Sequence, residues 1–161
     1  MNEGMRDGMV RLEPTVYYAE TTIDCSLDKA WMSLLRYESW NPTFANAEVV
    51  RVAGDHRSEG ELVQIRKMRK DVKGDPLPEF FALTVKVVPR AHIVWYVYPK
   101  EGSAFRNFVD FGISEAPSGV KFNIRYYAQD ALSGELLQKQ RTDYEAGMHR
   151  LAAAFKQYCE S

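Results

Sequence analysis

Five polar side chains fall where the pattern otherwise calls for an apolar interior: Tyr96, Asn107 and Tyr126 in alternating segments, and Arg141 and Tyr144 in a long amphipathic one. Three phenols, an amide and a guanidinium can all donate hydrogen bonds. Gathered in an apolar hollow, they would orient an oxygen of a bound molecule or stabilise an enolate by preorganised donors. The set contains no convincing base near neutral pH. His92 shares the favoured inner face of its strand and could act as one, although a lone histidine there is more often a satisfied core residue. Asp110, Glu115 and Asp130 occupy outward or turn positions and assemble no carboxylate pair. There is no Ser/His/Asp arrangement and no phosphate-cradling glycine loop. His56, His92 and His149 lack cysteine or carboxylate partners at ligand spacing, so no metal and no cofactor are expected. Against any ligand role stands the plainer use of buried tyrosines, which bond one another or the backbone and serve only the core.

The elements that hold these residues follow from periodicity. Thr15–Cys25 reads as a strand, and Ser26 sits where a helix N-cap belongs, with Asp28 in the first turn. The helix that follows carries Trp31, Leu34 and Leu35 and stops before Asn41-Pro42; a short second helix fits Thr43–Ala47. The period then changes to two. Strands are expected at Glu48–Ala53, Glu61–Met68, Phe80–Val88, Ala91–Tyr98, Ala104–Glu115 and Val120–Gln129, with turns at Gly54–Gly60, Asp71–Pro78, Pro89-Arg90, Lys100–Ser103 and Pro117–Gly119. A helix closes the chain over Ser133–Cys159. Its Leu137, Arg141, Tyr144, Met148, Leu151 and Phe155 fall within a sector of about 80°. Hairpins make the sheet antiparallel, and segregated helices make the class α+β: a seven-stranded curved sheet gripping the C-terminal helix, with two short helices after strand 1.

Charges mark the solvent face of each strand. Arg106 and Asp110 turn Phe105, Asn107, Val109, Phe111 and Ile113 inward, and Lys121, Asn123 and Arg125 do the same for Val120, Phe122, Ile124 and Tyr126. A turn at Pro117-Ser118 sets Phe111 near Phe122 and Asn107 near Tyr126. Lys86 sends Phe81, Leu83, Val85 and Val87 inward. On Ala91–Tyr98 either Val94, Tyr96 and Tyr98 look inward or Ile93, Trp95 and Val97 do; the tyrosine face is favoured, because pairing Tyr98 near Phe105 places Tyr96 beside Asn107. The expected lining is Tyr96, Tyr98, Phe105, Asn107, Val109, Phe111, Tyr126, Arg141, Tyr144 and Met148. Arg141 has two readings. It meets an anionic or enolate-like group at the mouth, or, the favoured one, it pairs with Glu145 or snorkels to water. Trp31 and Trp40 are expected to pack the first helix on the sheet, with Trp40 also placed to line an entrance.

With 161 residues, 45% of them hydrophobic, the chain suits one domain, expected over 15–161 after a flexible segment 1–14 in which Met1, Met5 and Met9 are candidate starts. A net charge of −1 excludes binding by bulk charge to nucleic acid or an anionic membrane. The cluster Arg66, Lys67, Arg69, Lys70 and Lys73 lacks the interleaved aromatics of a single-strand binder, and lysines at a sheet edge guard against aggregation. No signal-peptide core and no membrane-length apolar run is present. The expectation is a cytoplasmic monomer or homodimer with no stable membrane insertion, its thiols Cys25 and Cys159 free rather than bridged.

Several short strings resemble the START/Bet v 1-like superfamily, in particular its polyketide cyclase/dehydrase and lipid-transport branch. They are Thr21–Ser26, Lys29-Ala30-Trp31, Tyr37–Pro42, Gly60–Val63 and Tyr144–Met148. The resemblance spans nearly the whole chain and implies a helix-grip fold with a hydrophobic tunnel between sheet and helix. Members bind lipids, sterols, quinones or polyketides, and some catalyse cyclisation, dehydration or hydrolysis; no universal catalytic motif transfers. The resemblance thus implies binding of a hydrophobic or aromatic small molecule in an internal cavity. A cofactor-independent cyclase, aromatase or dehydratase is the alternative, and a chaperone-activator-type interaction domain a weaker one.

Overall fold

The chain's first two strands form the two edges of its sheet, and the helices between them must span the distance. The computed structural model describes residues 16–44, 47–67, 79–100, 106–128 and 141–161. The elements are β1 (Val16–Ile23), α1 (Leu27–Leu35), α2 (Tyr37–Trp40), a 3-10 turn (Pro42–Phe44), β2 (Ala47–Ala53), β3 (Leu62–Lys67), β4 (Phe80–Val88), β5 (His92–Pro99), β6 (Asn107–Ala116), β7 (Gly119–Ala128) and α3 (Arg141–Glu160). All pairings are antiparallel, in the order β1-β7-β6-β5-β4-β3-β2. At about 4.8 Å per neighbour, the link from β1 to β2 crosses roughly 29 Å. The expected α+β helix-grip arrangement is the one observed, with α3 lying against β1, β7 and α1. The expected segments 1–14, 71–78 and 133–140, together with Leu137, Arg69, Lys70 and Lys73, lie outside the described residues.

Local chemistry places the ends of these elements. Ser26 Oγ accepts from the Lys29 N–H at 3.1 Å, which caps α1. The chain breaks at Arg36, and α2 ends at Trp40, before Asn41-Pro42. The β6–β7 hairpin turns on Pro117-Ser118 between the paired Ala116 and Gly119. Gly119 has φ +139°, and a Cβ there would lie 2.2 Å from the Ile23 carbonyl oxygen, so only glycine fits.

The core is aromatic where the helices meet the sheet. The Trp40 ring lies 4.7 Å from Phe155, which lies 4.2 Å from Phe122. Trp40 donates its indole N–H to the Ser33 carbonyl at 2.8 Å, so its polar atom is satisfied and the residue is core rather than an entrance. Along α3, Met148, Leu151, Phe155 and Cys159 are buried. Cys25 and Cys159 are free thiols. No helix among the described residues is long and apolar enough to cross a membrane.

The inward sets of β6 and β7 are as the charges predict: Asn107, Val109, Phe111 and Ile113 are buried, as are Val120, Phe122 and Ile124. Two other faces are reversed. On β5 the buried inner residues are Ile93 and Trp95, with Val97 beside them, while Tyr96 faces outward. The register pairs Val97, not Tyr96, with Asn107, and a slip of one residue exchanges the faces of a strand. On β4, Ala82 and Thr84 are buried and Val85 is exposed, so Phe81, Leu83 and Val85 do not point inward. A bulge explains this, because Thr84 pairs with Trp95 and Lys86 with Val94, leaving Val85 as an extra residue. Lys86 faces out and Val87 opposes the inward Ile93, but that parity stops at the bulge. The outward aromatics form a ladder over four strands, Phe81, Tyr98, Tyr96, Phe108 and Tyr127, with successive ring separations of 5.3, 5.4, 5.1 and 5.4 Å.

Candidate functional site

A cavity of about 410 Å³ lies between the concave face of the sheet and α3. The sheet supplies Ile65 from β3, Phe80 from β4, Trp95 and Val97 from β5, Asn107, Val109 and Phe111 from β6, and Tyr126 from β7. Tyr144 and Leu151 of α3 form the opposite wall, and Asn41, just past α2, closes one side. Partly exposed Glu79, Tyr98 and Pro99 form its rim at the ends of β4 and β5. The hollow persists because its rings are propped by other rings. Trp95 is held edge-on by Tyr37 at 4.8 Å and by Phe111 at 5.2 Å, so neither can fall into the space.

Few polar atoms interrupt this lining. Asn107 is 2% exposed, and its Oδ1 is buried with no hydrogen-bond partner among the described residues. Its neighbours across the sheet, Val97 and Ala128, have no side-chain donor to offer. Burial pushes the Tyr126 hydroxyl up to about 12 and raises that of Tyr144 further, so both phenols keep their protons at neutral pH. Tyr144 stacks on Tyr17 at 6.3 Å and meets Tyr126 edge-on at 6.2 Å. Glu79, the ionised group of the lining, is tied to Lys100 Nζ at 2.9 Å and accepts from Gln64 Nε2 at 2.9 Å. The Lys100 ammonium holds its carboxyl below the usual carboxylate range, which makes it a weak base.

Of the residues expected to line the cavity, Asn107, Val109, Phe111, Tyr126 and Tyr144 are brought together around it, while Tyr98 touches it only at the rim, its ring stacked in the outward ladder. Met148 is buried and lines a smaller, adjoining hollow of about 310 Å³ that shares Tyr126, Tyr144 and Leu151 with the cavity and is completed by Pro42, Gly147 and Arg150. Tyr96 is on the outer face, where its hydroxyl accepts from Arg106 at 3.5 Å. Arg141 is exposed and away from the cavity; its Nε donates to Glu145 Oε1 at 2.9 Å, the helical pairing favoured above. Phe105 lies outside the described residues. His92 is also on the outer face, its Nδ1 3.1 Å from Asp110 Oδ1, and cannot serve the cavity as a base. Asn41, Ile65, Glu79, Phe80, Trp95, Val97, Pro99 and Leu151 join the wall without being among the expected lining. Leu151 belongs to the helical stripe, and Trp95 and Val97 to the alternative face of β5; nothing in the sequence marks Glu79 or Asn41.

A buried carboxylate occurs elsewhere, at Glu61, which is 1% exposed. It accepts from the Tyr37 hydroxyl at 2.9 Å and the Arg57 N–H at 3.1 Å, and lies 3.0 Å from His56 Nδ1. With its oxygens so occupied and no share in the cavity wall, it anchors structure. No cluster among the described residues could hold a metal ion.

No family model matches the chain, and no curated protein matches it. Solved structures do. Ara h 8.0201 superposes with a TM-score of 0.70 at 10% identity, over 91% of this chain and 97% of that one. The ZhuI aromatase/cyclase from Streptomyces sp. R1128 gives 0.66 at 13% identity, over 91% and 94%. DynU16, from the dynemicin biosynthetic locus, gives 0.64 at 11% identity over 91% of this chain but only 47% of its own, so the chain spans about half of that protein. At these identities the likeness establishes the fold, the helix grip of Bet v 1-like proteins.

Proposed function

We propose that the protein binds a hydrophobic or aromatic small molecule, lipid-, quinone- or polyketide-like, between sheet and C-terminal helix. One observation carries this reading: an apolar hollow of about 410 Å³ whose wall includes a buried amide oxygen without a partner among the described residues. A core serving stability alone would be filled, since interiors pack to crystal density and voids destabilise. Affinity would come mainly from apolar burial, at about 25 cal/mol per Å². The protein acts as a single cytoplasmic domain, monomer or homodimer, without nucleic acid or cofactor.

A cyclase- or dehydratase-like activity is the second reading, favoured by the likeness to the ZhuI aromatase/cyclase and by the phenol donors of Tyr126 and Tyr144. Binding is preferred because the wall offers donors and no base suited to neutral pH; Glu79 is committed to Lys100. A chaperone-activator-type domain would have a filled, closed core, which the cavity speaks against.

Native mass spectrometry of the purified protein should reveal a retained small molecule, and Nile red should bind with blue-shifted emission. Val97→Phe, which places a ring in the hollow, should abolish that binding while leaving the circular dichroism unchanged. Undiminished binding by a folded Val97→Phe protein would place the ligand elsewhere.

A further inference from the structure

We infer that the cavity selects uncharged ligands bearing a hydroxyl, phenols and neutral hydroxy-aromatics, and rejects carboxylates such as fatty acids, with Asn107 as the residue that accepts a hydrogen bond from that hydroxyl. The inference rests on the ligand-binding reading of the same cavity.

Two observations carry it. The first is charge. Among the described residues no lysine, arginine or histidine lines the cavity, and its ionised side chain is the Glu79 carboxylate at the rim. Arg141, for which meeting an anion at the mouth is the less favoured reading of the sequence, is exposed and paired with Glu145, as the favoured reading expects. An anionic ligand would lose its hydration against aromatic rings and meet no cation in the cavity wall, the Lys100 ammonium at the rim being already paired with Glu79. The second is the orphaned amide. Asn107 is flanked on both sides by apolar residues, Val97 and Ala128, and its Oδ1 is unpartnered among the described residues. Where a leucine would complete the sheet core without any unpaired atom, an asparagine is justified by a partner the fold does not itself provide. The cavity it lines is the place from which that partner can come. The unpartnered Oδ1 is an acceptor, so a ligand hydroxyl satisfies it by donating, and the protonated phenol of Tyr126 offers a donor to the same ligand oxygen across the space.

The test uses three molecules on one scaffold, biphenyl, para-phenylphenol and para-biphenylcarboxylate, competing with neutral Nile red at neutral pH. The phenol should bind about three- to tenfold tighter than biphenyl. The carboxylate should bind at least about a hundredfold more weakly than the phenol. Asn107→Leu should erase the advantage of the phenol and leave biphenyl within about twofold. Carboxylate binding within tenfold of the phenol would overturn the inference with no variant needed, and so would an Asn107→Leu protein that loses biphenyl and phenylphenol equally. Should the wild type bind neither Nile red nor any of the three, the cavity reading itself fails and this one with it.

Discussion

The Tyr37 hydroxyl donates to Glu61 Oε1 across 2.9 Å and joins α2 to the residue just before β3. The other Glu61 oxygen takes the Arg57 N–H and the His56 ring, while the Arg57 guanidinium lies 5.2 Å above the Tyr37 ring and its Nε donates to the Leu35 carbonyl. One buried carboxylate thus fastens the β2–β3 turn to both short helices. The Tyr37 ring in turn props Trp95 in the cavity wall.

Tyr37→Phe keeps that ring and deletes one donor from the carboxylate. Leaving a buried carboxyl oxygen short of a hydrogen bond costs about 1–3 kcal/mol. Urea denaturation should show a lower midpoint with an unchanged slope; an unchanged midpoint would mean that water replaces the phenol and the fastening carries no energy.

Asn107→Leu should do the opposite. Replacing an amide whose buried Oδ1 has no partner among the described residues by an apolar side chain of similar size removes the desolvation cost of that oxygen, so thermal unfolding should rise by about 2–4 °C for a gain near 1 kcal/mol. A residue whose removal stabilises the empty protein while weakening oxygen-bearing ligands is retained for binding. A fall in melting temperature would assign Asn107 to the scaffold instead.

The order of elements was legible because the helix cap at Ser26, the break before Pro42 and the hairpin at Pro117-Ser118 are local chemistry. For the same reason the inward sets of β6 and β7, which flank a two-residue turn, could be read from charges. The face of β5 could not. It depends on the register through 101–105, and nothing in its sequence, apolar on both sides, distinguishes Trp95 from Tyr96 as the inward ring. The bulge at Val85 is a tertiary accommodation without a local signature, so Lys86 reported the parity of its own half of β4 and misreported the other half. Phe80 belongs to that misreported half and Ile65 to a strand whose face no charge marks, while Glu79 and Asn41 lie beyond the ends of regular elements, where no periodicity applies.

The phenol of Tyr126 gives a pH signature. Its folded value of about 12 lies above the ordinary 10, so between these values the folded chain holds a proton that the unfolded chain has lost. Fewer protons on the unfolded state means that unfolding becomes easier as pH rises; the stabilisation is complete below pH 10 and is lost as pH climbs through about 12. Ultraviolet titration of the phenolates should show Tyr126→Phe lacking absorbance only at the alkaline end of the curve. Loss of signal near the ordinary tyrosine value would mean that water fills the cavity and hydrates the hydroxyl.

Arg141 separates the cavity reading from one in which α3 carries an anion-binding charge. Its guanidinium is raised further above its ordinary value by the Glu145 carboxylate, and it lies 6.0 Å from the Tyr17 ring, facing water rather than the hollow. Exposed pairs four residues apart on a helix contribute little, because both partners are well hydrated when separated. Arg141→Ala should therefore leave the melting temperature and the affinity for Nile red and para-phenylphenol unchanged within error, at low salt and at high. If the substitution weakened either compound as strongly as Asn107→Leu weakens the phenol, the guanidinium would have to swing inward on binding, and the cavity would acquire the counter-charge that its walls otherwise lack.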